Sequence, residues 1–204
     1  MAGIRLIAGL GNPGPQYQDT RHNVGAEFVA ALAHRYGIAL SEEARFKGLT
    51  GRGTLAGHDV RLLIPLTYVN LSGEAVGPMA RYYRIEPAEV LIAYDEMAFE
   101  PGLVRIKAGG GDNGHNGLRS VIAGLGNSRD FRRLRIGVGH PGDRDRVVAY
   151  LTSVRMPEAE RRILEQVYDL PESVLGHLLG GDLEKAMTDL HSREVPGQEP
   201  QGND

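Results

Sequence analysis

Short apolar runs alternate with amphipathic segments along most of the chain. The apolar runs predict strands at Ile4–Ala8, Arg45–Leu55, His58–Ile64, Val90–Tyr94, Leu103–Lys107 and Arg133–Gly139. Apolar residues at helical spacing predict helices at Val24–Tyr36, Gly73–Tyr83, Leu118–Leu125, Arg144–Leu151, Pro157–Leu179 and Asp182–His191. The chain from residue 144 to residue 191 is therefore expected to be mainly helical.

This alternation of strands and helices is typical of an α/β protein. We predict a single globular domain built on a twisted mixed sheet that is flanked by helices. The chain has 204 residues, 41% of them hydrophobic, and no linker divides it into comparable halves. We assign residues 1–191 to one catalytic domain and expect the polar residues 192–204 to form a flexible tail.

Composition narrows the classes of chemistry that are available. The chain contains no cysteine, which removes disulfides, thiol nucleophiles and thiolate metal ligands. Neither a signal peptide nor an apolar run of membrane-spanning length is present, so we expect a cytoplasmic protein with no membrane partner. No pattern indicates a stable protein partner, and a monomer is expected.

The formal net charge of −3 is unevenly distributed. Residues 157–204 carry eleven acids and four bases, whereas residues 1–156 have a net charge of +4. Within residues 103–135 the net charge reaches +5, which is compatible with a patch that faces phosphate. The alternative is a solvated surface with interleaved charges, and charge alone favours that alternative.

The segment Gly9–Gly14 matches the spelling G-x-G-x-x-G of a dinucleotide-binding loop. That function requires a helix to begin at once, but Pro13 and Pro15 remove backbone donors and the following residues lack a helical apolar period. We therefore reject the nucleotide loop. The segment instead predicts a rigid turn that carries Asn12, followed by a polar loop that brings His22 to the start of a helix.

A hydrolase that lacks cysteine and a G-x-S-x-G motif has to activate water with a histidine, a carboxylate or a metal. His22 is a candidate base, and Asp95 is the carboxylate best placed to orient it, although an aspartate at a strand end is more often a turn or cap residue. One alternative is a metallohydrolase that uses His22, Asp95, His115 and His140, whose spacing fits no familiar zinc motif. Another is a non-catalytic RNA-binding module.

Several blocks of sequence together resemble the bacterial-type peptidyl-tRNA hydrolases. They are Gly9–Gly14 with Tyr17 and Thr20–Gly25, Phe46–Gly48, Pro65–Gly73, Asp95, Lys107 with Gly109–Gly111, Gly114–Ser120, and Phe131–Gly142. The blocks keep the family's order and spacing across nearly the whole chain, and only the acidic C-terminal tail falls outside the pattern. The match is therefore more specific than any single motif.

The resemblance implies hydrolysis of the ester that joins a nascent peptide to the terminal ribose of tRNA, without a cofactor or metal. The implied roles are a base at His22, an orienting carboxylate at Asp95, residues that hold and discriminate the N-blocked substrate at Asn12 and Asn70, and a residue that positions substrate and water at Asn116. Two further pairs are implied, Tyr17 with Tyr68 near the tRNA 3′ end and Lys107 with Arg135 at the 5′ phosphate. The implied partner is tRNA that carries a nascent peptide.

Two positions depart from the commonest family sequence. Val69 stands where many members have methionine, and it keeps an apolar side chain there. Asp112 adds a negative charge to the glycine-rich loop, where we expect it to weaken or redirect contacts with RNA.

Overall fold

A computed structural model of the chain describes residues 2–198. Its single sheet has seven strands: β1 (Leu6–Gly9), β2 (Ser41–Glu43), β3 (Gly48–Leu55), β4 (His58–Pro65), β5 (Val90–Glu96), β6 (Val104–Ala108) and β7 (Arg132–Gly137). Seven α-helices surround the sheet: α1 (Val24–Arg35), α2 (Gly73–Tyr82), α3 (Asn116–Gly124), α4 (Val147–Thr152), α5 (Glu158–Tyr168), α6 (Glu172–Leu179) and α7 (Leu183–His191). The predicted α/β fold with a mixed sheet and a helical C-terminus is confirmed.

The strand order across the sheet is β2-β3-β4-β1-β5-β7-β6. The four central strands, β4, β1, β5 and β7, run parallel, whereas β2, β3 and β6 pair antiparallel at the two edges. The carboxyl ends of the parallel strands therefore meet at one edge of the sheet. In open α/β sheets this edge is where ligands bind.

Two apolar layers cover the sheet. On one face α1 and the C-terminal helices bury residues such as Phe28, Leu164 and Val174, and on the other α2 and α3 bury Met79 and Val121. Strand β5 is buried on both faces, which is why its sequence is a continuous apolar run without alternation.

Several element boundaries differ from the predicted ones. The predicted strand Arg45–Leu55 starts three residues later, because Ala44–Phe46 forms a 3-10 turn that ends at Lys47 with φ of 48°. The predicted helix Pro157–Leu179 is two helices, since Pro171 cannot donate the backbone hydrogen bond that would continue α5. Strand β2 was missed because it is three residues long and mostly exposed.

Residues 192–198 contact the domain rather than extending from it. The Arg193 guanidinium donates to Asp189 of α7 and to the Ser173 hydroxyl. Residues 199–204 of the predicted tail lie outside the described residues, so the proposed boundary at residue 191 stays a prediction. Within residues 2–198, no helix is long and apolar enough to cross a membrane.

Candidate active site

His22 lies in a short 3-10 turn, Arg21–Asn23, that leads directly into α1. Two glycines allow this turn to approach the sheet closely. A Cβ atom on Gly9 would lie 2.1 Å from the carbonyl oxygen of Gly25, and a Cβ on Gly25 would lie 2.1 Å from that of Ala93. The first glycine of the G-x-G-x-x-G spelling therefore serves helix–strand packing, and this packing brings His22 beside β5.

The C-terminal helices hold the same turn from the other side. The buried Arg21 guanidinium donates to Glu160 at 3.0 Å and lies 3.8 Å above the Tyr150 ring. One residue earlier, Thr20 forms an isolated β-bridge with Arg155. Segments more than a hundred residues away in sequence therefore also help to position His22.

Asp95 lies inside β5 and joins two histidines. His22 Nδ1 lies 2.7 Å from Asp95 Oδ2, and His115 Nε2 lies 2.8 Å from Asp95 Oδ1. The Leu118 N–H donates to His115 Nδ1, so His115 carries its proton on Nε2 and donates it to Asp95. We call these three residues the catalytic cluster. With Nδ1 of His22 donating to Asp95, Nε2 is left as the basic nitrogen of His22.

Burial and the neighbouring charges shift the pKa values of Asp95 and His22 in opposite directions. Burial raises the pKa of Asp95, but the adjacent His22 and His115 and their hydrogen bonds outweigh it and hold that pKa well below its usual range. Burial lowers the pKa of His22, yet the Asp95 charge and hydrogen bond leave it above 6.5. Asp95 is therefore ionised across the physiological range and favours the protonated form of His22.

Asn12 is fixed by three hydrogen bonds, one to its side chain and two through its backbone. Its Oδ1 accepts the Val69 N–H at 2.8 Å, and its backbone N–H and carbonyl both pair with the Asn23 side chain. The acceptor oxygen of Asn12 is thus occupied, which leaves its Nδ2 donors for a ligand. The contact with Val69 also ties the Asn12 turn to the neighbouring Asn70.

Four other predicted substrate residues lie in or beside short turns or at the start of α3. Asn70 and Asn116 are both exposed, Asn70 in the turn Val69–Leu71 and Asn116 at the first residue of α3, where it follows His115. Tyr17 and Tyr68 form an edge-to-face pair with ring centroids 6.3 Å apart, and Tyr68 is 53% exposed. The structure therefore brings the two tyrosines together as a surface aromatic pair.

Lys107 and Arg135 lie on the same face of the β6–β7 ladder but are not direct partners. Lys107 is paired across the ladder with Arg133, and Arg135 is paired with Arg105. The Arg135 guanidinium donates twice to Glu96 Oε1, at 3.0 and 2.6 Å. Its charge is consequently partly neutralised, and Lys107 is the more available cation of the pair.

The structure also shows the contacts of the two residues that depart from the family pattern, Val69 and Asp112. Val69 is buried and retains the apolar packing expected there. The Asp112 carboxylate accepts the Gly114 N–H at 2.8 Å and lies 3.5 Å from Arg119. The negative charge of Asp112 is therefore hydrogen-bonded within the loop and paired with Arg119.

Three residues of the metallohydrolase alternative do converge: His22, Asp95 and His115 offer ligand atoms within 4.8 Å of one another, and His140 is not in this group. Ligand atoms bound 2.0–2.1 Å from a tetrahedral zinc ion would be separated by about 3.3 Å. The observed nitrogen–oxygen distances of 2.7 and 2.8 Å are those of hydrogen bonds. The geometry favours a hydrogen-bonded cluster.

Sequence reasoning missed two residues that shape the site. It considered His115 only as a metal ligand, although His115 is the second hydrogen-bond donor to Asp95. It assigned no role to Asn23, which pairs with the Asn12 backbone. Each of the two lies within a sequence motif. No spacing rule, however, predicts a contact between Asn12 and Asn23, which are 11 positions apart, or between Asp95 and His115, which are 20 positions apart.

Comparison with known proteins finds relatives that match nearly the whole chain. A family model described as peptidyl-tRNA hydrolase matches residues 6–198. Peptidyl-tRNA hydrolase from Psychromonas ingrahamii is 51% identical over 190 residues, which cover 93% of this chain and 95% of that protein. The Pseudomonas putida enzyme is 48% identical and covers 96% of this chain and 100% of its own length. The crystal structure of peptidyl-tRNA hydrolase from Acinetobacter baumannii, 44% identical, matches 97% of this chain and 98% of its own with a TM-score of 0.90.

Proposed function

The chain belongs to the peptidyl-tRNA hydrolase family and hydrolyses peptidyl-tRNA, and we propose that His22 is the general base of this reaction. The observation that carries the proposal is the 2.7 Å contact between His22 Nδ1 and Asp95 in a buried setting. This contact fixes the tautomer in which Nε2 of His22 accepts a proton.

In the proposed reaction, water attacks the ester carbonyl while its proton moves to Nε2 of His22. Asp95 stabilises the imidazolium that forms, and His115 keeps the carboxylate oriented. The Nδ2 donors of Asn12 stabilise the negative charge that develops on the carbonyl oxygen. The C–O bond to the ribose then breaks, and His22 gives its proton to the leaving ribose oxygen, which becomes a hydroxyl group. These steps call for no cofactor or metal.

Asn70 and Asn116 are proposed to bind the peptide part of the substrate. An amide side chain both donates and accepts, so it matches the N–H and carbonyl of a peptide bond. A free amino terminus is charged and lacks that carbonyl, so it would leave these amides unpaired. Discrimination against ordinary aminoacyl-tRNA follows from that loss.

The tRNA part is proposed to contact two surfaces. Tyr17 and Tyr68 offer an aromatic edge and an exposed ring on which a base at the 3′ end can stack. Lys107, with Arg135 beside it, supplies charge-assisted donors for the 5′ phosphate. Such contacts hold RNA without reading its sequence, which suits an enzyme that recycles many tRNAs. We therefore place its activity in the cytoplasm, where translation supplies the substrate.

The test is peptide release from N-acetyl-aminoacyl-tRNA by the purified protein. We expect hydrolysis by the wild type, little release from unblocked aminoacyl-tRNA, and a kcat lowered about 10²- to 10⁴-fold in His22→Asn. The matched control is His34→Asn, an exposed histidine of α1, which should behave as wild type. Full activity of His22→Asn would exclude the proposed base, and a non-catalytic RNA-binding module predicts no hydrolysis by the wild type.

A further inference from the structure

Arg133 in β7 is fully buried, and within the described part of the chain it has no acidic partner. Its side chain is 0% exposed, and among residues 2–198 no carboxylate lies within salt-bridge distance of it. The two other arginines of β7 do have acidic partners: Arg132 pairs with Asp130, and Arg135 pairs with Glu96. An unpaired buried charge is costly, so a different set of contacts has to stabilise the Arg133 guanidinium.

Those contacts are with the glycine-rich loop between β6 and α3. The Arg133 guanidinium donates to the backbone carbonyls of Gly111, at 2.5 Å, and of Gly110. It also lies 4.6 Å from the centre of the Phe131 ring. The Tyr94 side chain lies close to Arg133. Burial raises the pKa of the Tyr94 hydroxyl, and the Arg133 charge only partly offsets this rise. Tyr94 is therefore neutral and does not supply a negative charge to Arg133. The positive charge is therefore balanced by carbonyl dipoles and an aromatic face.

The loop held in this way has little regular structure of its own. Gly109, Gly110, Asn113 and Gly114 all have positive φ, between 49° and 108°. Its start is fixed by the Gly109 N–H, which donates to the Phe131 carbonyl, and its end by the His115 N–H, which donates to Asp112. Between these two ends, the Arg133 side chain holds Gly110 and Gly111, and the Asp112 carboxylate accepts the Gly114 N–H.

The loop ends at residues of the proposed reaction. His115 donates to Asp95, and Asn116 follows it at the first turn of α3. Tyr94 provides a second connection, since its ring packs edge-to-face on His115 with centroids 5.2 Å apart. On the other side of the loop, a Cβ on Gly110 would lie 3.0 Å from Lys107 Nζ. A shift of the loop would thus move both His115 and the surroundings of Lys107.

We propose that Arg133 is a positioning residue for the hydrolase reaction: it holds the carbonyls of Gly110 and Gly111 so that the loop places His115 against Asp95. This inference rests on the proposed function of the catalytic cluster. Arg133 contacts neither the proposed substrate path nor the reacting atoms, and it acts through the loop. Its effect through His115 therefore belongs to kcat and should not depend on the 5′ phosphate.

The key variant is Arg133→Met, which removes the charge and both donors and keeps an apolar side chain of similar length. We expect kcat to fall on the order of 10²-fold, as small displacements of a catalytic group commonly cause. The fall should appear with full N-acetyl-aminoacyl-tRNA and equally with a short ester substrate that lacks the 5′ phosphate. Arg133→Lys should recover part of the activity, because an ammonium group can still donate to one carbonyl.

Arg132→Met is the matched control, since Arg132 is the next residue of the same strand and has its own partner in Asp130. It should keep wild-type kcat. Thermal unfolding of both variants, with activity measured well below the transition, separates lost activity from lost folding. Amide hydrogen exchange across residues 110–115 should become faster in Arg133→Met and stay at the wild-type rate in Arg132→Met. This readout is independent of hydrolysis.

Gly110→Ala tests the loop without altering Arg133, and it serves where Arg133→Met does not fold. Alanine is strained at a φ of 108° and crowds Lys107, so kcat on the short substrate should fall. Gly126→Ala controls for the strain alone, because Gly126 has a φ of 68° and open space around it. Wild-type kcat on the short substrate together with unchanged exchange in Arg133→Met would overturn the inference. A wild type that hydrolyses neither substrate would instead contradict the proposed function.

Discussion

The catalytic cluster and the cationic end of β6 and β7 balance their charges in different ways. In the catalytic cluster, the Asp95 carboxylate lies between two histidines, and the three side chains are 1% to 13% exposed. At the cationic end, which comprises Lys107, Arg133 and Arg135, one arginine is buried against carbonyls, one is paired with Glu96, and Lys107 is half-buried. The first region is held together by short, buried hydrogen bonds. The second region keeps a positive charge on Lys107 that is partly exposed and can bind an anion.

The difference predicts different sensitivities. Buried hydrogen bonds depend on exact geometry and are screened little by salt, so the catalytic cluster should respond to single-atom changes. A partly exposed cation that binds phosphate acts through counterion release, so the cationic end should respond to ionic strength. Chemistry and substrate recognition are therefore separable by experiment.

Asp95→Asn should produce the largest effect. An amide has one acceptor and one donor group, so it cannot accept from both His22 and His115, and one of the two histidines has to change tautomer or move. We expect kcat to fall about 10²- to 10⁴-fold with little change in KM for the tRNA. Asp59→Asn, an exposed carboxylate paired with Arg52, is the control and should retain wild-type activity.

The Asp95→Asn variant also tests which group causes the pH dependence of kcat/KM. In the wild type the pKa of His22 is raised above 6.5, and because neutral His22 is the base, kcat/KM should fall as pH drops through that pKa. Replacing Asp95 removes the charge that raises this pKa but leaves the burial that lowers it. The acid limb should therefore move to lower pH. An unmoved acid limb in Asp95→Asn would show that another group titrates in this range.

Lys107→Met should have an intermediate effect that is confined to full-length tRNA. We expect KM to rise and the slope of log(kcat/KM) against log salt to become less steep by about 1, as for the loss of one phosphate contact. Lys185→Met, an exposed lysine of α7 that pairs with Asp182, is the control. Equal losses on tRNA and on a short substrate without the 5′ phosphate would assign Lys107 a structural role.

Chelation should have the smallest effect. If the catalytic cluster acts through hydrogen bonds, dialysis against a strong chelator leaves kcat unchanged, because no step passes through a metal ion. Activity that is lost on chelation and restored by zinc would instead make His22, Asp95 and His115 metal ligands. Metal analysis of the active protein provides the matching measurement.

Part of this site could be predicted from the sequence. His22 and Asp95 were predicted to interact, and they lie in hydrogen-bond contact although 73 positions separate them. The function of His115 was not predicted, because its role depends on which nitrogen faces Asp95 and which accepts the Leu118 N–H. The catalytic roles of all three remain predictions until the variants are measured.

By itself the sequence determined the fold class, most of the elements, the rejection of a nucleotide loop and the family, because hydrophobic period, prolines and motif spacing are local properties of the chain. Only the tertiary structure decided the ladder register that sets Lys107 opposite Arg133, and the burial that leaves Arg133 without a carboxylate partner among residues 2–198. It also decided that Gly9 and Gly25 pack a helix against the sheet. These features depend on distances between segments that are remote in sequence, and such distances exist only once the core has formed.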